Sequence, residues 1–338
     1  MEPFGDLTLT LAQIDCELGR DSCDSQLKIA PYIYGRPLVI FMSLFPSLAP
    51  FERPIAWTIL FLVTILFSLF VILVNRFRAL LLVMLTLMSP PYQLMVERMN
   101  IDILILFGVL IAAALFSKRQ YFASSILVAT TVLIKFYTLI LLVLYFAPSR
   151  NKHFKLFIFF VLALSIYAFF GFKQVSGDLS SLGGGNFGLK PLFYWLMKTP
   201  KYVNMILGGL ISVVIIIYSF TTWRYFSQSK APIFDTRLYM TCFRFFAFIS
   251  ITIFFVGSNW DYRILFINIP LAILMCCSPR AQGEFSVSIW FLYVAINYLS
   301  FNVSGFLQFI GDIAISLSIS IFITLIGIGI KNRKTEEN

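Results

Sequence analysis

Charged residues are scarce in this chain, and the residue types most used for metal and nucleophilic chemistry are scarcer still. Asp, Glu, Lys and Arg make up 12% of the sequence, whereas soluble proteins average about 25%. There is one histidine, His153, and there are five cysteines. The sequence has no HExxH pair, no CxxC pair, no Ser/His/Asp triad and no glycine-rich phosphate loop. Any reaction must therefore rely on carboxylates, Lys, Arg, Tyr and Asn.

Apolar residues are abundant in the chain. They account for 59% of the sequence, and Phe alone contributes 38 of the 338 residues. A water-soluble fold of this size cannot hide so much apolar surface, because over half of any folded surface is already apolar. Soluble enzymes, disordered chains and disulfide-rich secreted modules are therefore excluded. We predict an all-α, polytopic bundle of transmembrane helices with lipid as its solvent.

The basic residues predict the orientation of this bundle. The net charge is +10, but the 26 Lys and Arg residues are spread between apolar runs, which argues against a nucleic-acid partner. They cluster in every second loop, as expected of cytoplasmic loops. This pattern gives about 11 crossings of the cytoplasmic (inner) membrane, with the N-terminus outside, the C-terminus inside and an extracytoplasmic functional face. An outside N-terminus with no signal peptide is unusual, and one further helix before residue 1 would place both ends inside.

Three regions follow from the apolar segments. Residues 1–54 are predicted to form an outer first loop, in which 37–49 is too short to span and suits an interfacial helix. Residues 55–330 form the transmembrane domain, with short outer-face helices and loops, and residues 331–338 form a cytoplasmic tail. The predicted spans are 55–75, 79–96, 101–116, 121–134, 136–147, 155–172, 203–220, 238–257, 264–277, 285–301 and 307–329.

Residues 121–147 allow two interpretations. One long helix with Lys135 at its middle would reverse every later loop and leave 9 basic residues inside against 15 outside. Two short helices separated by a break at Lys135 keep 14 basic residues inside against 11 outside. The positive-inside rule favours the break, with Lys135 on the outer side. Helices this short cannot cross unaided, so we expect them to pack inside the bundle against protein.

Polar residues collect at the outer ends of the predicted spans. Ionisable groups at the edge of the hydrocarbon are costly unless they are paired or functional. Each residue alone could be a snorkelling anchor or part of an interfacial aromatic belt, but six clusters on one face indicate function. The clusters are Phe4–Asp6, Asp15, Tyr32–Arg36, Glu97–Asp102, Lys135–Tyr137 and Gly257–Arg263.

Four of these clusters carry a resemblance, and two of them carry most of it. The run Glu97-Arg98-Met99-Asn100-Ile101-Asp102, followed about 30 residues later by Leu133-Ile134-Lys135-Phe136-Tyr137, resembles the ERGN(I/V)D…LK(F/Y)YP pattern. That pattern belongs to multi-pass polyprenol-phosphate-sugar glycosyltransferases of the GT-C superfamily, which include mycobacterial polyprenol-phosphate-mannose mannosyltransferases. Gly5-Asp6 is similar to the acidic residue in the superfamily's first outer loop, and Asn259–Arg263 resembles an N-x-D-Y-R segment of bacterial relatives. Met99 and Thr138 depart from the pattern, which often has Gly and Pro there.

The resemblance implies transfer of a sugar, with inversion, from a polyprenyl-phosphate donor to a lipid or glycan acceptor. Such a reaction needs a carboxylate to take the proton of the acceptor hydroxyl and cations to hold the departing phosphate. The expected general base is Asp6, with Asp15 as the alternative. The donor phosphate is expected to contact Arg98, Lys135 and Arg263. The residues expected to orient these cations or bind sugar hydroxyls are Glu97, Asn100, Asp102 and Asp261.

Structural roles remain open for the same residues. Asp102 could cap the N-terminus of a helix, where its negative charge interacts favourably with the helix dipole. Lys135 could pair with an acid and so stabilise the helix break. Cys16 and Cys23 lie on the oxidising side, where a disulfide could brace the first loop. The segment 183–188 could be a flexible lid or a plain linker.

Two other function classes compete with the enzyme, namely a transporter or flippase of lipid-linked cargo and a non-catalytic membrane scaffold with the same fold. We expect no cofactor. Asp6 and Asp15 could hold a divalent metal, but two acids make a poor site without further ligands. Membrane lipids and a polyprenyl-phosphate-linked sugar are the expected partners.

Overall fold

A computed structural model of the chain divides into two compact units. The first comprises Met1–Leu73 with Gln93–Ser180, and the second comprises Val74–Tyr92 with Ser181–Asn338. The structure describes residues 11–12, 14–16, 18–19, 43–44, 46–47, 55, 58, 81, 84, 87–93, 102–145, 186–187, 201–228, 233–234, 236–256, 259–260, 264–279, 285–299 and 305–337.

The regular structure in these described residues is helical, apart from one two-residue antiparallel strand pair. This confirms the all-α fold class. Three helices are long and apolar enough to cross a membrane, namely Ile206–Gln228, Arg237–Phe255 and Leu307–Ile328. The number of about 11 crossings stays a prediction, because the predicted spans 55–75, 79–96 and 155–172 fall largely outside the described residues.

Within the first unit, the described residues 102–145 form three consecutive helices. Helix α1 covers Asp102–Ser117, helix α2 covers Tyr121–Ile134, and a 3₁₀ helix covers Phe136–Tyr145. Arg119 ends α1 in the left-handed conformation, with φ of 64°. Its N–H donates to the carbonyl of Phe116, and the N–H of Gln120 donates to the carbonyl of Leu115. This pair of bonds is a Schellman motif, which satisfies the last carbonyls of α1 and turns the chain into α2.

The chain reverses at Lys135, which confirms the predicted break. Lys135 is extended, with φ −145° and ψ 128°, between α2 and the 3₁₀ helix. Tyr145, the last residue of the 3₁₀ helix, hydrogen-bonds Ser124 in the first turn of α2. The ring of Tyr145 also meets Phe116 at the end of α1, edge to face at 5.1 Å. The three helices are therefore antiparallel neighbours, and the interpretation of 121–147 as one long helix is wrong.

Helices α1 and α2 approach closely at one glycine. Gly108 is buried in α1, and a Cβ built on it would lie 2.6 Å from Cγ2 of Thr131 in α2. Small residues allow this kind of approach between helices whose packing is not driven by water. Ser124 adds a polar link between the same helices, because its hydroxyl donates to the carbonyl of Ala112 at 2.6 Å.

In the second unit, the described residues from 186 to 337 include the three long helices and two shorter ones. Its elements are β1 (Asn186–Phe187), α3 (Lys201–Gln228), α4 (Arg237–Val256), β2 (Asn259–Trp260), α5 (Ile264–Cys277), α6 (Phe285–Val294), a π-helix (Ala295–Leu299) and α7 (Gly305–Glu337). Helix α7 continues through most of the segment 331–338 that was predicted to be a tail. The bounds of α5 coincide with the predicted span 264–277.

Contacts in the second unit fix the directions of α3 and α7. Tyr218 of α3 hydrogen-bonds Ser288 at 2.6 Å, and the ring of Tyr225 stacks on Phe285 at 5.4 Å. Between these two contacts the residue number increases in α3, from 218 to 225, and decreases in α6, from 288 to 285. Helices α3 and α6 are therefore antiparallel. Helix α7 follows the π-helix through a short connection and packs back against it. Helices α3 and α7 therefore run in the same direction.

Gly108→Ala is expected to destabilise the first unit. The added methyl would overlap Cγ2 of Thr131, and overpacking of a tight contact costs about 1–3 kcal/mol. The free energy of unfolding in detergent micelles, measured by denaturant titration, checks this. The double variant Gly108→Ala/Thr131→Ser should recover most of the loss, because serine keeps the hydroxyl and lacks the methyl. Gly209→Ala is the matched control, since a Cβ at Gly209 meets nothing within 4 Å. An equal loss for both glycine variants would contradict the close contact.

Candidate functional site

The break at Lys135 forms a buried ionic site with the first residue of α1. The Lys135 ammonium lies 2.9 Å from Oδ1 of Asp102, and the two side chains are 6% and 2% exposed. The phenol of Tyr137 donates a hydrogen bond to the same carboxylate oxygen at 2.9 Å. Asp102 lies in the first turn of α1, where the helix dipole favours negative charge. We call Asp102, Lys135 and Tyr137 the ionic triad.

Hydrogen bonds from threonines stabilise the backbone at this break. The Lys135 N–H donates to the carbonyl of Thr131 at 2.9 Å, which closes the last turn of α2. The Thr138 hydroxyl donates to the carbonyl of Lys135 at 3.0 Å, and Thr131 Oγ1 lies 3.2 Å from Thr138 Oγ1. A proline at 138 could not supply this hydroxyl, so the departure of Thr138 from the family pattern has a structural consequence here.

Helix α2 is shorter than a helix that crosses a bilayer. Lys118 and Arg119 are exposed at the turn between α1 and α2, and basic residues of this kind suit a membrane surface. The 14 residues of α2 rise about 21 Å, whereas the hydrocarbon is about 30 Å thick. If the α1–α2 turn lay at one surface of a bilayer, Lys135 would lie about 9 Å short of the other surface. Charges at such a depth are costly unless paired, and they often mark function.

Two of the predicted site residues, Lys135 and Asp102, are thus brought into contact. A third, Asp15, is buried with 4% exposure and accepts a hydrogen bond from the Ser47 hydroxyl. The roles given to these residues stay predictions. The remaining predicted site residues lie outside the described part of the chain; they are Asp6, Glu97, Arg98, Asn100, Asp261 and Arg263.

The N-x-D-Y-R segment and the glycine-rich segment meet in the second unit. Asn259 and Trp260 form β2, which pairs antiparallel with Asn186 and Phe187 of β1, with Asn186 opposite Trp260. The sequence analysis treated 183–188 as a lid or a linker and did not join it to 259–263. The pairing places the two segments side by side, and it lies just before Asp261.

Cysteine and metal chemistry are limited in the described residues. Cys16 forms a disulfide; its predicted partner, Cys23, lies outside the described residues, so that pairing stays a prediction. Cys242, Cys276 and Cys277 are buried thiols that form no disulfide. Within the described part of the chain, no group of three or more His, Cys, Asp or Glu side chains could hold a metal ion.

The sequence analysis missed two buried polar features. The first is the hydrogen bond of Tyr137 to Asp102, although Tyr137 belongs to the motif that was singled out. The second is a reciprocal amide pair, in which Asn268 of α5 donates to Asn297 at 2.8 Å and Asn297 donates back at 3.2 Å. Asn297 lies in the π-helix. The available signal was the presence of one asparagine in each of two apolar spans, where a polar side chain needs a partner.

No known protein family, curated protein or solved structure matches the chain.

Breaking the Lys135–Asp102 pair is expected to destabilise the first unit. Lys135→Met or Asp102→Asn alone leaves one buried charge uncompensated, which costs about 3–5 kcal/mol. The double variant removes both charges and should lose much less than the sum of the single variants. Denaturant titration of the full chain in micelles measures all three. Lys118→Met, at an exposed lysine, is the control and should change stability by less than about 0.5 kcal/mol. Additive losses for the pair would contradict their coupling.

Proposed function

We propose that the chain is a membrane glycosyltransferase that moves a hexose or pentose from a polyprenyl-phosphate donor to a lipid or glycan acceptor on the extracytoplasmic face of the cell membrane. The observation that carries the proposal is the ionic triad, in which a buried lysine ammonium is held by a carboxylate. The motif resemblance of Glu97–Asp102 and Leu133–Tyr137 also supports it, because Asp102 of the first motif contacts Lys135 and Tyr137 of the second.

The lysine suits the phosphate of a lipid-linked donor. An ammonium carries three N–H donors, so Lys135 can contact a phosphate oxygen while Asp102 still holds it in position. Asp102 and Tyr137 then act as positioning residues for Lys135. The low-dielectric surroundings strengthen any contact between the ammonium and the phosphate relative to the same contact in water.

The proposed transfer is a displacement at the anomeric carbon of the donor sugar. The Asp6 carboxylate takes the proton of the acceptor hydroxyl, and the acceptor oxygen attacks the anomeric carbon of the donor sugar. A new carbon–oxygen bond forms as the bond to the donor phosphate breaks, which inverts the anomeric centre. The departing polyprenyl phosphate carries the negative charge, and Arg98 and Lys135 stabilise it.

A non-catalytic scaffold is the second candidate, and one observation favours it. Lys135 and Asp102 neutralise each other at the helix break, and the Thr138 hydroxyl bonds the Lys135 carbonyl there. These contacts could persist for structure alone, with no substrate bound. A transporter or flippase has less support, since such proteins commonly place charges at the membrane midplane.

Lys135→Met is expected to reduce sugar transfer by about a hundredfold or more, the usual effect of removing one charge-stabilising donor. The assay supplies radiolabelled mannosyl-, glucosyl- and arabinosyl-phosphoryl polyprenol with crude membrane lipids to the purified full chain. Asp6→Asn should abolish sugar transfer, whereas Lys118→Met should leave the rate of transfer unchanged. Lys135→Arg retains the positive charge and should keep part of the activity.

The outcomes separate the candidates. If the parent chain consumes no donor, the scaffold is favoured. If a folded Lys135→Met variant transfers sugar as fast as the parent, the phosphate-binding role of Lys135 is wrong. Full activity of Asp6→Asn would remove Asp6 as the general base.

A further inference from the structure

An open groove lies between α3 and α7 of the second unit. Its volume is about 500 Å³, which falls within the range of about 300–1,000 Å³ typical of ligand sites. Phe220 and Trp223 of α3 form one wall, and Thr324, Gly327 and Ile328 of α7 form the other. Ser219 also lines the groove and hydrogen-bonds Ser320 across the two helices. The lining is mostly apolar, so a hydrocarbon chain is the occupant that suits it.

The glycine keeps the groove open. Gly327 is exposed, and a Cβ built on it meets nothing within 4 Å. Phe220 and Trp223 are 57% and 43% exposed. In a chain whose spans face lipid, these exposed rings and the space beside Gly327 are available to the bilayer.

One end of the groove is basic. Because α3 and α7 run in the same direction, Gln228 at the end of the α3 span and Ile328 at the end of the α7 span lie toward the same side. Arg224 is exposed on α3 near that end, and α7 continues there with Lys331, Arg333 and Lys334. Helical periodicity places positions 331 and 334 on the same stripe as 324, 327 and 328. Glu336 and Glu337 follow at the end of α7, so the four basic residues exceed the acids.

We propose that this groove binds an anionic phospholipid of the surrounding bilayer. One acyl chain lies between Trp223 and Gly327, and the headgroup phosphate lies near Arg224, at the end where α7 continues through positions 331 and 334. The charge complementarity selects an anionic headgroup, because basic pockets between helices at a membrane surface attract such lipids. The tryptophan suits the same boundary, where its ring is both apolar and able to donate a hydrogen bond. This site does not depend on the proposed transferase activity.

Photo-crosslinking of the full chain in nanodiscs tests the steric half of the proposal. The discs contain phosphatidylcholine with a small fraction of phosphatidylglycerol that carries a diazirine on one acyl chain, and peptide mass spectrometry locates the crosslinks. They should concentrate on Phe220, Trp223 and the segment 324–328. Gly327→Leu fills the groove and should remove them. Gly209→Leu, at an equally open glycine outside the groove lining, should leave them unchanged.

The preference for an anionic headgroup over a zwitterionic one tests the electrostatic part of the proposal. The same diazirine on phosphatidylcholine should give weaker crosslinking at these residues. Arg224→Gln and Lys331→Gln should each reduce the preference for phosphatidylglycerol about fivefold, the factor that corresponds to about 1 kcal/mol per basic residue at a membrane surface. Lys118→Gln is the charge-matched control and should leave the preference unchanged.

Three results would overturn the proposal. Crosslinks spread evenly along the exposed face of α3 would mean that only ordinary bilayer lipid contacts the chain. Equal crosslinking by both headgroups would remove the anionic preference. Crosslinks that appear only when each disc holds one chain would show that a second copy of the chain covers the groove.

Discussion

The ion pair between Lys135 and Asp102 is the interaction on which the arrangement of the first unit depends. A chain cannot turn inside hydrocarbon unless its backbone groups find partners within the protein. Here the Lys135 N–H bonds the carbonyl of Thr131, and the Lys135 carbonyl accepts the Thr138 hydroxyl. The charge of the buried Lys135 side chain still has to be neutralised, and Asp102 does so at 2.9 Å.

The same pair links local geometry to possible chemistry. Gly108 lets α1 approach α2, and the Schellman turn at Arg119 returns the chain in the antiparallel direction. Together they hold the start of α1 beside the end of α2, so that Asp102 meets Lys135. A buried ammonium that one carboxylate holds in position keeps further N–H donors for the phosphate of a lipid-linked donor. The proposed function rests on this placement of charge.

Much of the described fold could be predicted from the sequence, because apolar run length and charge position are local signals. The bounds of α2 and α5 were predicted correctly, and counting basic residues on each side located the break at Lys135. The partner of Lys135 could not be chosen in this way, since several acids were available and contact depends on how α1 packs. The 3₁₀ and π-helical segments were missed because an apolar run looks alike in any helix type. The pairing of Asn186 with Trp260 joins distant segments that share no sequence pattern.

The reversal at Lys135 is the central claim, and one distance measurement tests it directly. Ala123 near the start of α2 and Val143 near the end of the 3₁₀ helix are both exposed, so each position can carry a nitroxide label. In the antiparallel arrangement the two backbone positions lie about 10 Å apart, the usual spacing of packed helices, and the paired labels should show strong spin–spin broadening. A continuous helix would separate the positions by about 30 Å. A distance near that value in the full chain would contradict the break and, with it, the ionic triad.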